Sequence, residues 1–268
     1  PIVTEIKSDF LNRCKTLEKL SLSNVKKVGI RFVQQNEILD SVFMPKLEEA
    51  GDFFFENNLG LKEISFAKLK TLGNCSFQKN EQAKIISMPE VEYIADSCFE
   101  TCIHAEEICF PKLRKVGDFF FMYNQDIHTA ILPNLEKVGS NFLRYNKKLR
   151  EIDLKNVIYL GDYFLEENEI LEKINIINVI TLNSCSLSRN KGLKSLRLDN
   201  AIQIGNFCLR ENENISELYA PKVTSIGIYT LEKNSYYKTL HKSAFLRNVK
   251  NKIANELTNL SHSQKRTK

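Results

Sequence analysis

The sequence predicts an α/β solenoid: a right-handed superhelix of stacked 22-residue coils with a parallel β ladder, closed by a C-terminal helix. Two columns of residues predict it. Gly29, Gly51, Gly73, Gly117, Gly139, Gly161, Gly205 and Gly227 are separated by multiples of 22, and Ala95 and Asn183 fill the two vacant slots. Asn36, Asn58, Asn80, Asn124, Asn146, Asn168, Asn190, Asn212 and Asn234 keep the same step, with Cys102 in the gap. No insertion interrupts the register. A coil this short cannot bury its own apolar face, so its neighbours must do so.

Each part of the coil has its own signal. In Leu149-x-x-Ile152-x-Leu154 the last two residues alternate inward as in a strand, and Leu17/Leu20/Leu22, Leu39/Val42/Met44, Leu61/Ile64/Phe66 and Leu193/Leu196/Leu198 repeat the unit. Pro45, Pro89, Pro111, Pro133 and Pro221 follow it, suiting the corner where the chain leaves the strand. Then comes Gly with a polar residue and an aromatic pair, as in Gly51-Asp52-Phe53-Phe54-Phe55. Asp52, Asp96, Asp118 and Asp162 share a column with Asn74, Asn206, Ser140 and Ser184, the types that cap the first turn of a helix. The glycine before them is expected to supply a backbone conformation costly for residues with a Cβ. The Asn after the aromatic pair is expected to bond exposed turn backbone and to stack on its neighbour in the next coil.

Two regions follow. Residues 1–234 read as about ten repeats plus an N-terminal partial repeat in which Val3, Ile6, Phe10 and Leu11 occupy half a coil. In 235–268, Leu246, Val249, Ile253, Leu257 and Leu260 form an amphipathic stripe expected to be a capping helix, followed by a disordered tail. This region holds eight Lys/Arg against Glu256, so the chain's net charge of +5 resides there and the repeats are close to neutral. The chain opens on Pro1 within a partial repeat, without a Met, and reads as trimmed.

Composition is globular, at 43% hydrophobic and 26% charged residues. No segment approaches the ~20 apolar residues that cross a bilayer, so no membrane insertion is expected. The seven cysteines fall mostly in columns of Phe, Leu or Asn, which fits small buried hydrophobes better than a disulfide framework. Cys75 with Cys98, and Cys185 with Cys208, lie one coil plus one residue apart, close enough on this register for a bridge. No nucleophile elbow, phosphate loop or dinucleotide fingerprint occurs, and Cys102, His104, Cys109 and His128 lack metal-ligand spacing. No catalytic residue, metal, cofactor or nucleic-acid partner is expected. Asn74-Cys75-Ser76, Asn214-Ile215-Ser216 and Asn259-Leu260-Ser261 match the glycosylation triplet, which has meaning only in a eukaryotic secretory setting.

The run Phe54-Phe55-Glu56-Asn57-Asn58, its counterpart Ser97-Cys98-Phe99-Glu100-Thr101-Cys102 and the L-x-x-I-x-L unit resemble BspA-like leucine-rich repeats over residues 3–234. Where that class has Ala-Phe-x-x-Cys, this chain places Phe, Ser or Cys for the Ala and usually Asn for the Cys. The resemblance implies a leucine-rich-repeat solenoid and a non-enzymatic protein-binding module, secreted or at a microbial surface, that adheres to host or matrix proteins or is delivered to a host. It supplies no catalytic residues. The odd cysteine count fits a reducing compartment instead.

In an open solenoid the outward residues of the strand ladder are the default recognition surface. Here that surface carries Phe43, Ser65, Ile85, Ser87, Cys109, Ile131, Asp153, Arg197 and Tyr219, apolar toward the N-terminus and charged toward the C-terminus. A second column holds Ile158, Ile180 and Ile202 beside Asn156, Asn178 and Asn200, which fits weak self-association or a stiffened strand. The alternatives to a recognition module are therefore a self-assembling repeat protein and the substrate-recognition part of a larger enzyme.

Overall fold

A computed structural model describes residues 2–234. The helix and tail expected over 235–268 lie outside the described residues. Twenty short parallel strands build two ladders, one of three-residue strands such as Glu63–Ser65 and one of two-residue strands such as Thr71–Leu72. Every pairing joins residues 22 apart, from Glu5↔Lys27 to Arg197↔Tyr219. Seven two-residue strands, from Glu5–Ile6 to Lys137–Val138, form one unbroken sheet. The three-residue ladder is divided into four sheets, with breaks after Phe43, Ile131 and Asn175.

The expected α/β class does not hold for the described residues, which contain no helix. The segment after each glycine is a turn that forms a third ladder. In it, the N–H groups of Phe53, Phe55 and Asn57 donate to the carbonyls of Asn74, Ser76 and Gln78 at 2.7–2.9 Å. Its backbone visits the left-handed region at alternate residues, as at Tyr163 (φ 57°), Leu165 (φ 50°) and Glu167 (φ 60°). That conformation disfavours residues with a Cβ by about 1–2 kcal/mol each. Coil-to-coil hydrogen bonds hold it there. Within this ladder the N–H of the central column points to the following coil at Leu11, Val33, Phe55 and Phe77. From Leu143 onward it points to the preceding coil.

The polar column therefore caps coils, not helices. Asp52 Oδ1 accepts from Asn74 N–H at 2.7 Å, Asp96 from Asp118 at 2.8 Å and Asp118 from Ser140 at 2.7 Å. The glycine expectation is also corrected, because no glycine has positive φ. The glycines are required for space: a Cβ on Gly139 would lie 2.4 Å from the backbone carbon of Gly117.

Inside, rings stack along the axis: Phe10, Phe32 and Phe54, then Phe55, Phe77, Phe99 and Phe121, then Phe120, Phe142 and Phe164. The spine changes column at the edge-to-face pairs Phe54–Phe55 and Phe120–Phe121. Each buried ring or aliphatic side chain contributes about 1.5–3 kcal/mol, and only because a neighbouring coil covers it. Phe10 remains half exposed on the first coil, so the partial repeat stacks on the array without sheltering its end. Asn36 and its column equivalents are buried, not bonded to exposed backbone. Asn146 Nδ2 donates to the carbonyls of Phe121 and Arg144, and Asn190 Nδ2 to that of Leu165. The expected stacking of neighbours appears where Asn36 N–H donates to Asn58 Oδ1 at 3.0 Å.

Candidate recognition faces

Three outward faces result, one per ladder, and the rigid backbone beneath fixes their side chains at strand spacing. On the three-residue ladder, Phe43, Ile85, Ile131 and Tyr219 are 48–58% exposed, large values for apolar side chains on a sheet. Ser65, Asp153 and Arg197 are exposed, whereas Ser87 and Cys109 are half-buried, contrary to a fully solvent-facing column. The register brings Ser65, Ser87, Cys109 and Ile131 into one continuous column, with Ile85 two residues before Ser87. It pairs Phe43 with Ser21, Asp153 with Asn175 and Arg197 with Tyr219. The Arg197 guanidinium lies 4.5 Å from the Tyr219 ring and 2.6 Å from Asp199. Phe43 and Tyr219 are eight coils apart, about 38 Å at strand spacing. A span of that length fits a macromolecule.

At the break after Ile131 the face opens into a shallow groove of about 520 Å³ between His128–Ala130, Glu151–Asp153 and Lys173–Asn175. Ala130, which lines the groove, stands in the inward column where the larger Ile108 and Ile152 fill the adjacent coils. The groove charges already have partners: Lys173 pairs with Glu151 at 3.7 Å, and Asp153 Oδ1 accepts from the Lys155 N–H at 3.1 Å. Nothing there gathers a nucleophile with a base. Among the described residues no three His, Cys, Asp or Glu side chains converge as metal ligands. His104 pairs with Asp126 at 3.0 Å, and the Cys102 thiol donates inward to the carbonyl of Phe77. All seven cysteines are free, so the bridges open to Cys75/Cys98 and Cys185/Cys208 are not formed.

The two-residue ladder carries Ile158, Ile180 and Ile202, each 38–48% exposed. Earlier coils fill the same column with Lys26, Glu48, Lys70, Glu92, Arg114 and Glu136, a ladder of alternating charge. Lys26 and Lys70 both contact Glu48, and Arg114 contacts Glu136 at 2.7 Å. Asn156, Asn178 and Asn200 donate to the carbonyls of Pro133, Lys155 and Ile177.

Sequence reading missed a third group, on the turn face. Tyr123 and Tyr145 stack at 4.7 Å, and the Arg144 guanidinium lies 4.6 Å from the rings of both Tyr145 and Tyr163. Arg144 also holds the buried Glu166 at 2.6 Å. Burial pushes the Glu166 carboxyl above its usual range, and Arg144 offsets this only in part. These tyrosines belong to two different columns of the repeat, so only the turn geometry unites them.

Among the described residues, stacked 22-residue coils with parallel strand ladders around an apolar spine define a leucine-rich-repeat scaffold. The chain belongs to the BspA type leucine-rich repeat region family, which matches residues 2–84, 70–194, 114–238 and 167–264. No curated protein matches the sequence. Solved structures share the fold. A leucine-rich repeat protein from Bacteroides ovatus is 17% identical with a TM-score of 0.65, the match covering 84% of this chain and 66% of that one. A leucine rich cell surface protein from Faecalibacterium prausnitzii is 16% identical with a TM-score of 0.58, covering 78% and 69%. The pneumococcal vaccine antigen PcpA is 15% identical with a TM-score of 0.54, covering 87% and 74%. This chain thus spans just under two thirds of the B. ovatus protein. No helix among the described residues is long and apolar enough to cross a membrane.

Proposed function

We propose that the chain is a non-enzymatic protein-recognition module, secreted or displayed at a microbial surface, that binds a host or matrix protein through its three-residue strand face. One observation carries this reading. Phe43, Ile85, Ile131 and Tyr219 stand half exposed on a rigid ladder where solvated strands prefer polar groups. Large apolar anchors beside charged groups such as Arg197 and Asp153 are the composition of protein interfaces. The surface location is drawn from the fold relatives, of which one is described as a cell surface protein and another as a vaccine antigen.

The test is affinity capture from host or matrix extracts with the full chain as bait, followed by the triple variant Phe43→Ser, Ile131→Ser, Tyr219→Ala. Loss of the captured protein with an unchanged circular dichroism spectrum supports this face. Equal capture by both baits rules it out.

A further inference from the structure

We propose that the coil of residues 117–138 is a built-in opening point, at which the solenoid parts in mid-array while the coils on either side keep their register. The observation is the reversal of hydrogen-bond direction in the turn ladder. Three backbone bonds join most turns to the next, and the outer two always run forward, as from Phe53 to Asn74 and from Asn57 to Gln78. The central bond runs forward up to Phe77, which donates to the carbonyl of Cys98. It runs backward from Leu143, which donates to that of Phe120. Every carbonyl of this column from Phe32 to Cys208 is then taken, so the reversal leaves two donors over. The N–H groups of Phe99 and Phe121 have no partner, and both residues are fully buried. Their turns are joined only by the outer bonds, from Ser97 to Asp118 and from Thr101 to Met122.

The same coil is loose on its other side. Phe110 N–H donates to the carbonyl of Ile131 at 3.1 Å, and Leu154 N–H to that of Asn175 at 2.9 Å. Between them, at the break after Ile131, the N–H of the buried Leu132 has no such bond to Asp153, nor does Arg150 N–H bond His128. The breaks after Phe43 and Asn175 interrupt the strand ladder alone, since the turns beside them keep all three bonds. Among the described residues, only the coil of 117–138 lacks one bond toward the coil before it and others toward the coil after it. A buried donor gives up water and gains nothing in return, so this coil is the least secured of the array. The two-residue ladder stays whole here. Lys115–Val116 pairs with Lys137–Val138, and Val138 N–H donates to Tyr159 at 3.0 Å. It holds the register while the other two ladders part. The strand of this coil forms the His128–Ala130 wall of the groove, so its opening widens the groove.

Native-state hydrogen exchange of the full chain, read amide by amide by NMR at several urea concentrations below the unfolding transition, is the test. A uniform stack frays from its ends, so its middle is the best protected. The loose coil reverses that order. The bonded amides of Tyr123 and His128 should be protected at least tenfold less than their counterparts Lys79, Lys84, Arg189 and Ser216, which make the same bonds in other coils. Their exchange should also accelerate with urea, because parting coils expose buried surface. Protection at Tyr123 and His128 equal to or above that of the counterparts overturns the proposal. Fast exchange that urea leaves unchanged overturns it too, since that marks the fluctuation of single amides and not the parting of a coil.

Discussion

Cys102 and Asn124 form the same contact one coil apart. Asn124 Nδ2 donates to the carbonyl of Phe99 at 3.1 Å, and Cys102 Sγ donates to that of Phe77 at 3.2 Å, each reaching back 25 residues. A thiol thus replaces an amide without leaving the spine carbonyl unpartnered. A similar bond to a carbonyl 25 residues back forms where small side chains replace Phe in the first spine column. Ser76 Oγ and Cys98 Sγ donate to the carbonyls of Gly51 and Gly73.

The column should therefore be graded by donor strength. Asn146→Ala leaves the buried carbonyl of Phe121 without its amide donor and should cost about 1–3 kcal/mol in urea unfolding. Cys102→Asn restores the stronger donor and should stabilise the protein, while Cys102→Ala should cost less than Asn146→Ala. The three midpoints measured under one buffer check the order.

How much of this could be read in advance depends on which atoms carry the information. The 22-residue step fixed the strand register, because a shift at one coil would expose every inward residue, such as Ile152 and Leu154. It also located Ile158, Ile180 and Ile202. The turn ladder was not legible, since its left-handed residues include Phe53, Leu143 and Tyr163 and so carry no residue-type signal. Helix-capping residue types pointed to a helix, but Asp52 and Asp96 cap the next coil instead. The Tyr123/Arg144/Tyr163 cluster was hidden for a related reason, since side chains of different columns meet only once the turn has folded.

Close stacking, not backbone conformation, should govern the glycine column. Gly139→Ala sets a methyl 2.4 Å from backbone carbon and should destabilise by about 1–3 kcal/mol as the coils are forced apart. Ala95→Gly, in a slot already holding a Cβ, should cost no more than about 1 kcal/mol. Thermal unfolding of both variants tests this, and equal losses would contradict it.

The cysteines should divide by burial. Burial pushes the Cys102 and Cys208 thiols up to about 12 and raises that of Cys98 further. Since the thiolate is the reactive form, these three should resist iodoacetamide at neutral pH until the chain unfolds. Cys14, Cys75, Cys109 and Cys185 are partly accessible and should be labelled first. Peptide mass spectrometry of native and urea-treated samples reads the order. With no bridge present, reducing agent should leave the melting temperature unchanged.

Glu166 should give the turn face a pH dependence opposite to that of an ordinary ion-paired carboxylate. Burial raises its folded pKa above the unfolded value, because desolvation outweighs the attraction of Arg144. The folded state then holds the proton more tightly, so the contribution of this group is greatest below the unfolded pKa and is lost as pH rises through the folded one. Asp126 acts in the reverse sense. Lys148 and then His104 hold its carboxyl below the usual range, so its contribution is present at neutral pH and lost on acidification. Comparing one variant with the parent at each pH separates the two. The stability of the parent relative to Glu166→Gln should fall between mildly acidic and neutral pH, whereas that relative to Asp126→Asn should rise between strongly and mildly acidic pH. Urea midpoints across the range give both differences; parallel curves for Glu166→Gln and the parent would show that Arg144 offsets the whole cost of burial, and a parent that gains on the variant as pH rises would show that it more than offsets it.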